Sequence, residues 1–317
     1  MASGRQRVLY IAGWGRSGST LLASILGQYD GAFAAGELRS LWARGMLEHR
    51  LCGCREPVPE CPLWKDVIAT ARFTLPAAEM ASIQATHLRT RDYPQAWVRL
   101  LARRDVDSQM QAYVETYAAA HSAVGEVTKA EVIVDSSGYP LDAILLARGG
   151  VDLSVIHLVR DPRPVASAWA TQRPLDDTAD GAESTFRQLN PAGSSTIWSL
   201  WNSMITGPLA RAVGAGRTFR LRYEDLIADP AGAVEAMARF AGLDPASTPV
   251  HGRVADLAPS HLVAGNRSRF ATGPVEIRRD VDATLSAAGN VLATIPALPL
   301  LRRYGYPMRW SSTHRGG

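Results

Sequence analysis

The first 28 residues constrain the fold more than any later stretch. Residues 7–12 read R-V-L-Y-I-A, an apolar run with the length of a buried strand. Residues 13–18, G-W-G-R-S-G, form a glycine-rich turn. Residues 19–28 then place Leu21, Leu22, Ile25 and Leu26 at the three-to-four spacing of a helix. Strand, glycine turn and helix make the first half of a βαβ unit. Glycines let backbone N–H groups converge on one point, and the positive end of the following helix aims at the same point. The turn is therefore equipped to hold an anion.

The alternation continues further along. Residues 131–135 (E-V-I-V-D) and 153–159 (L-S-V-I-H-L-V) read as parallel-type strands, followed by helices over 141–148 and 164–170. A long helix is expected over 194–213, a strand over 218–223 and a helix over 230–241. This pattern predicts an α/β fold: a central parallel sheet flanked by helices, a three-layer sandwich of the P-loop NTPase kind. Residues 41–130 differ. A Cys- and Pro-rich loop leads into helical stretches at 76–87, 93–103 and 106–124, with no convincing strand. This reads as a helical insertion within a single domain over 1–317, packed against the core over the site that the sheet presents.

Apolar runs such as 8–12 and 143–147 are too short to span a bilayer, and no leader-like pattern precedes the first strand, so a cytoplasmic protein without a membrane span is expected. A net charge of +4 with a pI near 9.1 suits a small anionic ligand better than nucleic acid.

The spacing Gly13-x4-Gly18 matches the phosphate loop G-x4-G-K-[ST], but Ser19 occupies the lysine position. Nucleoside triphosphate chemistry normally uses that lysine on the β- and γ-phosphates. Here Arg16 supplies the cation from inside the turn. The run G-W-G-R-S-G-S-T-L-L resembles the 5′-phosphosulfate loop of sulfotransferases that use 3′-phosphoadenosine-5′-phosphosulfate (PAPS), especially the branch with carbohydrate and tyrosylprotein sulfotransferases. The resemblance implies that Arg16 contacts the transferring sulfonate and the leaving phosphate, with Gly15, Ser17, Gly18, Ser19 and Thr20 around the 5′-phosphate.

Residues 155–169, V-I-H-L-V-R-D-P-R-P-V-A-S-A-W, resemble the 3′-phosphate motif of the same family. Arg160 falls at the carboxyl end of a strand, where ligands sit in open α/β sheets, and its planar fork suits a phosphate. The family's serine eight residues later is Ala168 here, and Ser167 stands one residue early as the substitute. Residues 222–226 (R-Y-E-D-L) resemble a strand end found across the superfamily, whose simpler role is to cap a strand and start a helix. Residues 265–270 (G-N-R-S-R-F) resemble a late basic loop that closes over the nucleotide, which makes Arg267 and Arg269 contact candidates. Glu37, in A-G-E-L-R, resembles the proposed general base of this branch; its simpler role is a surface pair with Arg39. His49 and His87 are rival bases, and His157, inside a strand, reads as a core histidine.

The resemblance implies an in-line transfer of sulfonate from PAPS to a hydroxyl acceptor (a carbohydrate, lipid or natural product), releasing 3′,5′-ADP, with no metal required. There is one departure in the turn after the second strand, D-S-S-G-Y-P, where relatives often carry lysine at the position of Gly138. Ser136 and Ser137 remain as hydrogen-bond donors near the sulfonate. Alternatives are a P-loop nucleotide kinase or NTPase, for which Asp161 would be the metal-binding carboxylate, and a non-catalytic PAPS-binding relative. The cluster Cys52, Cys54 and Cys61, with His49 nearby, leaves three readings open: zinc, a disulfide or free thiols. Arg89, Arg91, Arg99, Arg103 and Arg104, around Trp97, either greet an acidic acceptor or form a solvated helix face. Trp42 and Trp64 either stack on an acceptor ring or pack in the core.

Overall fold

The computed structural model describes residues 6–88, 95, 98, 108–171, 188–278 and 285–308. Its centre is a five-stranded parallel sheet in the order β2-β3-β1-β4-β5. The strands are β1 (Arg7–Ala12), β2 (Ala32–Gly36), β3 (Val132–Gly138), β4 (Asp152–Val159) and β5 (Thr218–Arg222). β1 lies in the middle, with Tyr10 opposite Asp135 on one side and Val155 on the other. β3 and β4 flank β1 on opposite sides, so the crevice beyond its carboxyl end is a topological switch point.

Alternation along β1 divides the core. Val8, Tyr10 and Ala12 join one buried cluster, and Leu9 and Ile11 join the other. The Leu9 side packs the helices Ser19–Leu26 and Pro230–Ala241. The Tyr10 side packs the Pro140–Arg148 and Pro191–Met204 helices together with the insertion. The fold is therefore the helix-covered parallel sheet expected from the sequence.

Three details differ. Four strands were legible, and β2 was not, because A-F-A-A-G has little β-branched or aromatic content. A small antiparallel sheet of Val250–His251, Val254–Leu257 and Gly273–Glu276 was also unforeseen. The helix expected over 194–213 is Pro191–Met204, followed by a π-helical turn over Ile205–Leu209 and a short helix Ala210–Val213. Pro208 lies inside that turn, where its missing N–H interrupts regular pairing.

The insertion holds the helices Pro62–Thr70, Ala77–Thr86 and Ser108–Thr128. The stretch expected as a helix over 93–103 lies outside the described residues, apart from positions 95 and 98, as does most of the arginine-rich run around Trp97. Trp42 and Trp64 are both 0% exposed. They belong to the core and offer no face to an acceptor ring. A buried ion pair joins Arg39, just after β2, to Asp142 on the Pro140–Arg148 helix, and the insertion packs onto it. Tyr113 donates to the same carboxylate at 2.9 Å, and Gln84 donates to the carbonyl of Arg39 at 3.1 Å. No helix among the described residues is long and apolar enough to cross a membrane.

Candidate active site

Each of the five parallel strands delivers a candidate site residue at its carboxyl end. β1 runs into the glycine turn at 13–18, and β2 is followed by Glu37. β3 ends in Ser136, Ser137 and Gly138, β4 is followed by Arg160, and β5 by Tyr223.

The glycine turn is held from several directions. Gly13 N–H donates to Gly138 C=O at 3.3 Å, and Ser17 Oγ donates to Trp14 C=O at 2.6 Å. Gly18, at φ +90°, stands against Tyr223, whose ring would lie 2.9 Å from a Cβ at that position. Trp14 stacks on Trp169 with ring centroids 4.9 Å apart, and Trp169 Nε1 donates to Gly15 C=O at 3.2 Å. Ser19 opens the first helix and Thr20 is buried one residue on. Arg16 adopts φ +71°, and its Nη1 donates to Asn266 Oδ1 at 2.6 Å.

Arg160 leaves β4 and reaches the turn, donating from Nη1 to Arg16 C=O at 2.9 Å. Its guanidinium lies 4.3 Å from the centroid of the Tyr223 ring. Trp198 Nε1 fixes the Arg160 carbonyl at 3.0 Å. A cation seated over an aromatic face keeps its charge and its in-plane donors aimed sideways, toward the turn.

Glu37 keeps part of its surface open while protein surrounds the rest. Burial pushes its carboxyl above the ordinary glutamate range, and the Arg44 and Arg269 charges pull against that rise. Arg39, the surface partner considered from the sequence, is instead buried and turned to Asp142. His49 and His87 are both exposed. Of the candidate bases, Glu37 alone sits at a strand's carboxyl end beside the crevice.

The sequence matches the Sulfotransferase family over residues 9–247. This chain belongs to the sulfotransferase family. Among solved structures, it is similar to the sulfotransferase domain from the curacin biosynthetic pathway, at TM-score 0.52 and 17% identity, covering 96% of this chain and 99% of that one. The sulfotransferase domain of the Synechococcus PCC 7002 olefin synthase aligns at TM-score 0.49 and 18% identity, covering 96% and 97%. Sulfotransferase STF1 from Mycobacterium tuberculosis H37Rv aligns at TM-score 0.46 and 17% identity, covering 76% and 68%. A search of curated proteins gives no match.

Within this sulfotransferase, loop 258–272 lies on the glycine turn. Asn266 N–H donates to Thr20 Oγ1 at 3.1 Å, and Val263 N–H donates to Ala35 C=O at 3.1 Å. Gly36, at φ +79°, permits the close approach, since a Cβ there would stand 2.9 Å from Val263 N. Arg267 is exposed. Arg269 is 1% exposed and donates to Gly265 C=O at 2.7 Å and Leu51 C=O at 3.4 Å. Its guanidinium thus shapes the loop and supplies positive charge to Glu37. Ser167 is buried within the Pro162–Ala170 helix.

Other residues take structural roles. Asp161 accepts from Arg163 Nε at 2.8 Å and Nη2 at 2.6 Å, and also caps the helix that follows. Both carboxylate oxygens are occupied, which disfavours a metal-binding aspartate. Glu224 accepts from Asp161 N–H at 3.0 Å and from Tyr306 Oη at 2.8 Å. Ser137 Oγ donates to Asp135 at 2.5 Å, and Asp135 also accepts from Tyr117 at 3.0 Å. The Ser137 proton is therefore directed at Asp135 rather than at the crevice. Gly138 adopts φ +81°. A lysine at this position would hold a left-handed backbone. His157 is buried and bonded to Asn202 at 2.7 Å, and burial lowers its pKa to about 4. It is a neutral core histidine, as the strand pattern suggested.

The three cysteines converge, but not with His49. Their partner is His261, about two hundred residues away: Nδ1 lies 3.8 Å from Cys52 Sγ and 3.3 Å from Cys61 Sγ. Asn266, Tyr223 and His261 were not among the candidate site residues read from the sequence. Tyr223 and Asn266 lay inside recognised motifs, whereas His261 carried no local signal.

Proposed function

We propose that this sulfotransferase moves a sulfonate group from PAPS to the hydroxyl of a carbohydrate, lipid or natural product, releasing 3′,5′-ADP. The observation that carries the reading is the pairing of Arg16 and Arg160 at adjacent strand ends, joined through the 2.9 Å bond from Arg160 to Arg16 C=O. One cation sits in the phosphate turn and one beside it, matching a donor with two separated anionic groups.

The turn amides, Ser17, Ser19 and Thr20 would hold the 5′-phosphosulfate at the amino end of the Ser19–Leu26 helix. Arg16 stabilises the charge that accumulates on the leaving phosphate. Arg160 grips the 3′-phosphate, with Ser167, Arg267 and Arg269 on the same side of the nucleotide. Glu37 accepts the acceptor's proton as the oxygen attacks sulfur in line with the departing bridge oxygen. Its raised pKa makes it a stronger base than an exposed glutamate. Charge stabilisation and positioning carry the remaining barrier. The insertion at 41–130 forms part of the acceptor site.

The reading is tested by incubating the protein with PAPS labelled in the sulfonate and a panel of hydroxyl acceptors. Label should pass to an acceptor in the wild type and fall at least ~100-fold in Glu37→Gln. Transfer from no donor but ATP–magnesium would replace this reading with the kinase one.

A further inference from the structure

Cys52, Cys54, Cys61 and His261 bring their Sγ and Nδ1 atoms within 4.8 Å of one another. Cys54 Sγ lies 3.6 Å from Cys61 Sγ, and His261 Nδ1 lies 3.3 Å from Cys61 Sγ and 3.8 Å from Cys52 Sγ. A zinc ion at about 2.3 Å from sulfur and 2.0–2.1 Å from nitrogen holds tetrahedral ligands about 3.5–3.8 Å apart. These three separations lie close to those such an ion imposes, and all four ligand atoms fall within 4.8 Å.

From this geometry we propose that Cys52, Cys54, Cys61 and His261 form a structural site for one Zn2+ that clamps the helical insertion to the loop over the phosphate turn. Three thiolates and one imidazole are a soft, closed donor set, which selects zinc over magnesium or calcium and leaves no position for a substrate. Cys52 and Cys61 are 0% exposed, which fits a site built for architecture rather than turnover.

The surroundings are prepared for a metal. The backbone at Cys54 bonds to Cys52 sulfur, that at Glu56 to Cys54 sulfur, and that at Trp64 to Cys61 sulfur. Such bonds orient thiolate ligands. Trp64 Nε1 donates to His261 C=O at 2.8 Å, and Gly53 N–H donates to Leu262 C=O at 3.0 Å, fixing the histidine's own backbone. Gly53 is required for that approach, because a Cβ there would stand 2.7 Å from the Ser260 carbonyl oxygen.

The clamp has a consequence at the active site. His261 lies five residues before Asn266, the residue that bonds both Arg16 and Thr20. Zinc would therefore fix the loop on which those two contacts depend. The site itself stands independently of the sulfonate-transfer reading.

The test is metal analysis of the untagged full-length protein purified without chelator, together with cobalt substitution. One zinc per chain, and a cobalt spectrum with tetrahedral ligand-field bands and thiolate charge transfer, are expected. Cys54→Ser and His261→Ala should each weaken zinc retention at least ~10-fold. Chelation should lower the melting temperature of the wild type and leave that of the metal-free variants unchanged. Wild-type protein that holds no zinc and gives no thiolate–cobalt absorption overturns the proposal. A mass lower by two hydrogens, marking a Cys54–Cys61 disulfide, overturns it equally.

Discussion

Arg16 Nη1 and Asn266 Oδ1 meet at 2.6 Å across 250 residues of chain. The contact joins the phosphate turn to the loop that lies on it, and it aims the Arg16 guanidinium while the same asparagine's backbone holds Thr20 at 3.1 Å. Asn266→Ala removes an acceptor from a charged donor, an interaction typically worth about 1.5–3 kcal/mol. The expected outcome is a roughly 10- to 100-fold weaker apparent affinity for the donor nucleotide, with a smaller change in melting temperature, read by calorimetric titration.

Gly18 has φ +90°, and a Cβ on it would press into the Tyr223 ring. Gly18→Ala therefore meets both a left-handed backbone penalty of about 1–2 kcal/mol and a steric conflict with the ring that supports Arg160. Thermal scanning should show a lower melting temperature. Binding of 3′,5′-ADP should weaken by more than the stability loss accounts for. An unchanged affinity would remove Tyr223 from the site.

The raised pKa of Glu37 makes two opposite predictions for one substitution. A carboxyl whose folded pKa lies above its unfolded value stabilises the fold below the unfolded value and loses that stabilisation as pH rises through the folded one. At neutral pH, Glu37→Gln should therefore leave the melting temperature unchanged or raised while it removes transfer activity. In the wild type, activity should rise with pH through the folded pKa of Glu37, and the variant should lack that limb.

His157 gives the contrasting case. Its pKa falls from 6.5 to about 4 on burial. The unfolded chain therefore binds a proton that the native state refuses, and stability declines as pH falls from about 6.5 to about 4. The full shift corresponds to roughly 3 kcal/mol. Denaturant unfolding at a series of pH values should show this slope, and His157→Gln should flatten it while retaining a partner for Asn202.

Much of this architecture was readable from the chain because its motifs are local. The run from Val8 to Leu26 contains strand, turn and helix contiguously, so periodicity alone exposes it, and Arg160 follows directly from the end of an apolar strand. What stayed hidden depends on tertiary approach. β2 is nearly all alanine and glycine, and it is a strand because it pairs with β3 rather than by propensity. Arg39 looked like a surface partner for Glu37, yet Asp142, more than a hundred residues on, buries it. Arg269 was legible as a basic residue of the late loop, but not its burial nor its bonds to the carbonyls of Gly265 and Leu51. His261 joins the cysteines only because loop 258–272 folds back over the insertion.

The central claim is that Arg16 and Arg160 together make a site for a nucleotide bearing both 3′- and 5′-phosphates. A thermal shift with 3′,5′-ADP, beside 5′-AMP and ATP–magnesium, on wild type and Arg160→Ala tests it most directly. Ligand at 100 times its dissociation constant stabilises by about 2.7 kcal/mol, a shift of roughly 5 °C for a chain of this size. That shift is expected with 3′,5′-ADP on the wild type, little with 5′-AMP or ATP–magnesium, and none with 3′,5′-ADP on Arg160→Ala. No shift with 3′,5′-ADP, or an equal shift in the variant, would contradict it.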